Sequence, residues 1–394
     1  MAKILISAGE ASGEMYGAQL IEALRLATDQ MPAQLRSAGI EFFGAGGERM
    51  EAAGCDIVVD AKVLAVVGIT EIVSRLPKIL GLYRKLIRTA DERHPDLAVV
   101  IDSPGFNWRV ARQMRKREIP VVYYVCPQFW AWRQGRVKLL RKYVDKALVI
   151  FPFEEKFYRD RGVDATFVGH PLADLALPGI SRADYAARYS LNPGKFWITL
   201  MPGSRRKEVR MNLPTIVKAA AQLGSAHEFL LPVARTLDAE FLTNSIQTQE
   251  TSLAAKRSIH LVSEALPALH YSRAGIIASG TATVEAALMG MPFVMVYRVS
   301  ALTYMLGRPR VKVPYFAMVN LIADEEVVTE LVQRQFTVEN VIAEMNKIIP
   351  EGPTRTRVIA KLSGVRAALS SGFANDSRTP AERAARSMLE LIRG

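Results

Sequence analysis

The 394-residue chain has only two cysteines, Cys55 and Cys126, both set in apolar stretches. A disulfide scaffold is excluded, and reduced cytosolic thiols are the expectation. The five histidines are scattered, and no Cys/His group has zinc spacing, so neither a metal nor another cofactor is called for. No apolar run approaches the ~18–20 residues of a membrane-spanning helix. The N-terminal MAKILISAGEASG turns polar and glycine-rich after six residues, too soon for a secretory signal. Repeats of solenoid length and low-complexity tracts are also missing.

What is present is a globular composition, 49% hydrophobic and 23% charged, with length enough for two or three domains. The formal net charge is +12, unevenly spread. From Arg109 to Lys146 there are eleven basic residues and two acids, and Arg75, Lys78, Arg84, Lys85 and Arg88 form a run without an acid. Such surfaces suit nucleic acid, anionic lipid or phosphorylated substrates; a solvated helix face is the plain alternative.

Short apolar runs alternate with helical patterns. Segments 3–8, 96–102, 120–125, 146–151 and 165–170 read as buried strands, with amphipathic segments 14–28, 107–118 and 133–144 between them. This alternation predicts an α/β fold with a parallel, doubly wound sheet. Residues 171–194 carry three prolines, end in Asn-Pro-Gly and read as the crossing into a second α/β unit, with strands at 196–201, 228–233, 258–262, 274–279 and 292–298. The stretch from 355 to 394 reads as helices without strands.

Ligands of such sheets sit beyond the carboxyl ends of the strands, which directs attention to the loops there. The first, 7–18, offers Gly9, Ser12, Gly13 and Gly17 at a helix start. It lacks the dinucleotide fingerprint, and Glu10 and Glu14 would repel a pyrophosphate, so a sugar fits it better; a tight packing turn is the alternative. In VVIDSPGFN (99–107), Asp102 ends a buried strand, placed to accept a proton from a hydroxyl or to cap a helix. The loop YYVCPQFWAWRQGR (123–136) sets Gln128, Trp130 and Arg133 among aromatics, a pattern suited to sugar rings and phosphates or to unpaired bases. No RNA- or DNA-binding signature accompanies it, so no nucleic-acid partner is expected.

Two later loops have strand–glycine–helix form. One offers Gly203, Ser204 and Arg205 to an anionic oxygen; the other offers Gly280, Thr281, Ala282 and Thr283, with Glu285 in reach of a ribose diol. Two such loops in one domain point to a nucleoside diphosphate. The stretch 63–87 carries a helical apolar stripe of Ile69, Ile72, Val73, Leu76, Ile79, Leu80, Tyr83 and Leu86 that faces a core, with Pro77 starting a second helix or kinking the first. Leu64, Val66, Val67 and Leu82 exceed that stripe and, with the basic residues among them, form a candidate membrane-surface patch.

Taken together, the loops resemble bacterial lipid-A-disaccharide synthases, inverting glycosyltransferases of the GT-B type. The likeness rests on SAGEASGE (7–14), GAGGERM (44–50), VVIDSPGFN (99–107), YYVCPQFWAWR (123–133), FPFEEKFY (151–158), FVGHPL (167–172), LMPGSRRKEV (200–209), SGTATVEAAL (279–288) and MPFVMVYR (291–298), nine segments in family order. Two departures stand out: Glu14 where the family has Asp, and VNLI (319–322), which lacks the Pro before Asn320.

The resemblance implies two Rossmann-like domains facing a cleft, 1–175 for the acceptor and membrane and 195–375 for the UDP-sugar, with a C-terminal helix at 376–394 packing on the first. It implies transfer from UDP-2,3-diacylglucosamine to 2,3-diacylglucosamine 1-phosphate, forming a β-1,6-linked disaccharide 1-phosphate and UDP at the cytoplasmic face of the inner membrane. Asp102 would be the base. Residues 203–205, 280–283, Glu285 and Asn320 would hold UDP, and Ser12, Gly13, Glu14, Gln128, Trp130 and Arg133 the acceptor or sugar. The oligomeric state is open, a homodimer included. Rival readings are another GT-B enzyme acting on UDP-N-acetylglucosamine, or a non-enzymatic basic binding module, which salt-steep polyanion binding without UDP binding would reveal.

Overall fold

The computed structural model describes the chain except residues 1, 10, 30–38, 62–68, 174, 253–254, 257, 374–375 and 394. It divides into two compact units, Met1–Ala173 with Leu369–Gly394, and Asp174–Ala368.

The first unit contains β1 (Ala2–Ala8), β2 (Ile40–Gly46), β3 (Cys55–Asp60), β4 (Leu97–Ile101), β5 (Val121–Tyr124), β6 (Lys146–Val149) and β7 (Ala165–Phe167). They form one parallel sheet in the order β3-β2-β1-β4-β5-β6-β7. The central strand β4, LAVVI, is buried along its whole length. Helices on both faces require that continuous apolar pattern.

The second unit repeats the plan with β8 (Phe196–Met201), β9 (His227–Pro232), β10 (Ile259–Val262), β11 (Ala274–Ala278), β12 (Phe293–Tyr297) and β13 (Glu330–Val332). Their order is β10-β9-β8-β11-β12-β13, again all parallel. Strands β2, β3 and β13 are absent from the sequence reading for separate reasons. Glycines interrupt β2, β3 exposes its aspartates, and β13 has three residues.

Helix Pro380–Arg393 buries Ala381, Ala384, Ala385, Met388 and Leu389, one stripe at helical spacing, and packs along helix Ala11–Asp29 of the same unit. Arg383 fastens it: Nε donates to the Val168 carbonyl at 2.8 Å, and the guanidinium lies over the Phe373 ring.

Pro77 lies inside a single helix, Ile69–Arg93, and does not begin a second one. Leu64, Val66 and Val67 lie outside the described residues. On the described part of that helix Leu86 is buried, Leu82 is half-buried and Leu80 is 41% exposed. Leu80 therefore leaves the core stripe to which its spacing assigned it. It sits among exposed Lys78, Arg84, Lys85 and Arg88.

Candidate active site

Each sheet reverses its winding once, between β1 and β4 and between β8 and β11. Crevices at such points are where open parallel sheets bind ligands. The loops beginning at residues 9, 102, 202 and 279 leave these four strands, and the aromatic loop leaves β5 beside them.

In the first unit, Gly9 admits the second loop: a Cβ there would overlap the Ser103 side chain. Gly13 lies in the first turn of helix Ala11–Asp29, against the Ile101 carbonyl, with half-buried Ser12 beside it. Glu14 is drawn toward the protein through one oxygen. Its Oε1 accepts the Arg49 N–H at 2.8 Å, at the start of helix Glu48–Ala52, where negative charge is favoured. The longer arm of Glu, in place of Asp, is spent on that contact.

Asp102 and Ser103 both adopt left-handed backbone, with φ of 47° and 46°. Two consecutive non-glycine residues in this region are strained, a condition that clusters at functional sites. The N-cap of helix Pro104–Arg115 is Ser103, which leaves Asp102 one position before it, half-buried at the end of β4.

The aromatic loop corrects one expectation. Trp130 is 4% exposed and does not present its face to a ligand. A buried indole N–H needs an acceptor, and Trp130 finds Glu154 Oε1 at 2.8 Å while its ring meets Phe153 edge-on. Trp132, 43% exposed, is the ring left facing outward, with the Arg133 guanidinium stacked 3.9 Å from its centroid. Gln128 is exposed beside them. Part of the basic run is neutralised, since Arg115 pairs with Asp145 and Arg117 with Asp91.

Glu154 is fully buried, and its other oxygen accepts the Ile150 and Phe151 N–H groups, each at 3.1 Å. Burial pushes its carboxyl up to about 7 against those hydrogen bonds. In the folded state it holds its proton to higher pH than in the unfolded chain, so its contribution to stability falls as pH rises from about 4.5 to about 7. Buried His170, pushed down to about 3, acts oppositely between about 3 and 6.5. Thermal unfolding of the native chain and of Glu154→Gln across pH 5–8.5 separates the two. The native midpoint is expected to drop relative to the variant's as pH rises toward about 7. Parallel profiles would refute the assignment.

In the second unit, Gly203 sits at φ 121°, where a Cβ would overlap Glu208. Glu208 Oε2 accepts the Ser204 and Arg205 N–H groups at 3.1 and 3.3 Å, and Oε1 pairs with the Arg205 guanidinium at 3.3 Å. The backbone donors expected to face an anion here are therefore occupied from within the loop. Arg205 remains half-exposed above them.

The other loop keeps its donors. Gly280 caps helix Thr281–Leu288 with no side-chain cap, and exposed Thr281 and half-buried Ala282 begin its first turn, where N–H groups lack intrahelical partners. Thr283 turns inward and bonds the Gly280 carbonyl at 2.7 Å. Glu285 has its carboxyl raised by burial, and among the described residues no hydrogen-bond donor offsets that burial.

Asn320 is corrected too. Nδ2 donates to the Val328 carbonyl and to Glu330, Oδ1 accepts the Val327 and Val328 N–H groups, and the residue is fully buried. Its polar atoms are spent on the turn into β13. A contact to nucleotide through this side chain is withdrawn.

Sequence reading did not single out Asn107, Tyr123, Glu154 or Trp132. Polar residues embedded in apolar motifs were the available signal for the first three.

These two reversing sheets, each with its candidate loops at the switch point, define a two-domain glycosyltransferase fold of the GT-B type. A glycosyltransferase of kitacinnamycin superposes with a TM-score of 0.62 at 15% identity, covering 99% of both chains. UDP-GlcNAc 2-epimerase from Neisseria meningitidis, bound to UDP-GlcNAc, does so with 0.63 at 13%, covering 100% of both. The family described as lipid-A-disaccharide synthetase matches residues 4–370, and a lipid-A-disaccharide synthase of Koribacter versatilis is 54% identical over 391 residues, 99% of each chain. The chain belongs to the lipid-A-disaccharide synthase family.

Proposed function

We propose that the chain condenses UDP-2,3-diacylglucosamine with 2,3-diacylglucosamine 1-phosphate, giving the β-1,6-linked disaccharide 1-phosphate and UDP. Family membership supports the reaction. The observation that carries the assignment of roles is the pair of carboxylates at the two switch points, Asp102 strained at the end of β4 and Glu285 half-buried after β11 with no hydrogen-bond donor among the described residues.

Asp102 takes the proton of the acceptor's 6-hydroxyl as that oxygen bonds to the anomeric carbon. The bond from that carbon to UDP breaks on the opposite face, its electron pair leaves on the diphosphate, and the α-linked donor becomes a β-glycoside. Arg205 and the N–H groups at 281–282 stabilise the growing charge. Glu285 accepts the ribose hydroxyls. Trp132 replaces Trp130 beside Gln128 and Arg133 at the acceptor sugar and its phosphate, with Ser12 and Gly13 completing that loop cluster.

The test is UDP release from UDP-2,3-diacylglucosamine with and without the acceptor, and identification of the linkage formed. Acceptor-independent turnover, or turnover of UDP-N-acetylglucosamine alone, would sink the reading.

Among the described residues no helix is long and apolar enough to cross a membrane. Acylated substrates favour a site at the inner membrane's cytoplasmic face, and Leu80 with Lys78, Arg84, Lys85 and Arg88 is the described surface that suits contact with anionic lipid. Changing Leu80 and Leu82 to Ser is expected to weaken sedimentation with anionic vesicles at an unchanged unfolding midpoint. High salt removes only the screened part of the attraction. Equal sedimentation of variant and native chain would place the lipid contact elsewhere.

A further inference from the structure

Resting on the reading of Asp102 as the base, we infer that Asn107 and Tyr123 are positioning residues that hold its strained backbone in place for proton transfer. Both act on one atom, the Asp102 carbonyl oxygen. The Tyr123 hydroxyl donates to it at 2.7 Å and Asn107 Nδ2 at 2.9 Å. Both side chains are fully buried.

Asn107 ties this atom to the neighbouring strand. Its Nδ2 also faces the Ile101 carbonyl at 2.8 Å and the Ser7 carbonyl at 3.0 Å, and its Oδ1 accepts the Ser7 hydroxyl at 2.7 Å. The ends of β1 and β4 are therefore joined through one buried amide directly beneath the switch point. Tyr123, on β5, adds the strand on the other side.

The geometry explains why a non-glycine pair stays left-handed. The positive φ values of Asp102 and Ser103 are unfavourable and persist only where the surroundings over-determine them. Two buried donors converging on the Asp102 carbonyl fix the peptide plane after the residue, and the Asp102 N–H to the Tyr124 carbonyl at 3.2 Å fixes the plane before it. With both planes held, the Cα–Cβ direction of the base is set by the core. A helix cap would need neither donor. Polar groups this deep are costly unless fully paired, and here two of them meet on the one residue proposed to move a proton.

The test is a double-mutant cycle on kcat. Tyr123→Phe removes one oxygen and leaves Asn107 in place. It is expected to lower kcat ~10-fold, and Asn107→Ala ~10²-fold, as small misplacements of a reacting group do. KM for both substrates and the Kd of UDP should stay within a factor of about two, since the effect is one of aim rather than of binding. Asn107→Ala also strips partners from two strand ends, so it is read only at an unchanged unfolding midpoint; Tyr123→Phe suffices without it.

In an Asp102→Asn background, which keeps the same backbone carbonyl and therefore any merely structural role, the kcat losses should vanish. Equal losses in both backgrounds, or full kcat in Tyr123→Phe beside an impaired Asp102→Asn, overturn the positioning role while leaving the base intact. Normal kcat in Asp102→Asn alone overturns the base, and the positioning role with it.

Discussion

Replacing Asp102 by Asn is expected to lower turnover ~10²–10⁴-fold, the range over which a general base accelerates proton transfer. The variant keeps the volume, the half-buried position and the backbone that Tyr123 and Asn107 hold, and loses the carboxylate's charge and with it the capacity to take a proton. Circular dichroism and the unfolding midpoint should match the native chain, and UDP should bind as before, because the loops proposed to hold it belong to the other unit. UDP release in the presence of acceptor, followed as a function of pH, is the measurement. A near-normal rate would return Asp102 to a structural part in the turn before helix Pro104–Arg115.

UDP affinity is the second large effect. Arg205→Ala and Glu285→Ala should each raise the Kd of UDP by ~10–100-fold, the worth of a hydrogen bond to a charged group. The two should differ in kcat. In the proposed mechanism Arg205 meets charge that grows as the bond to UDP breaks, so its removal should slow the chemical step as well. The proposed Glu285 contact is to a ribose that does not change, so its removal should act mainly through binding. Burial raises the Glu285 carboxyl, and a protonated acid is the poorer acceptor for a diol. UDP binding to the native chain should therefore weaken on acidification, starting at higher pH than for an ordinary carboxylate, and Glu285→Ala should lose that dependence. Calorimetric titration checks both. Unchanged Kd in the two variants would put the nucleotide elsewhere.

The parallel architecture was legible because it depends on pattern alone. Strands such as LAVVI and AGIIA are apolar throughout, since helices cover both faces, and no neighbouring residue has to be known to recognise them. The loops at 9, 102, 202 and 279 were legible for the same reason: glycine and acid at a strand end are local features. Strands β2 and β3 lack such a local signature, and their place in the sheet comes from pairing, β2 with β1 and β3 with β2.

Roles within the loops were not local. Trp130 and Trp132 are two residues apart with similar surroundings in sequence, yet Glu154, 24 residues from Trp130, draws one indole inward and leaves the other exposed. Asn320 sat in a segment only partly like the family's, and the turn into β13 claimed all its polar atoms. Glu14 went to a helix start 35 residues away, and Glu208 filled the donors before its own helix. By itself the sequence determined the class of fold, the family and the candidate loops at the strand ends, because periodicity and turn residues act over a few positions. Which side chain in each loop remains free for a ligand was decided only by the tertiary structure. Buried polar groups must find partners, and those partners come from strands and helices distant in the chain.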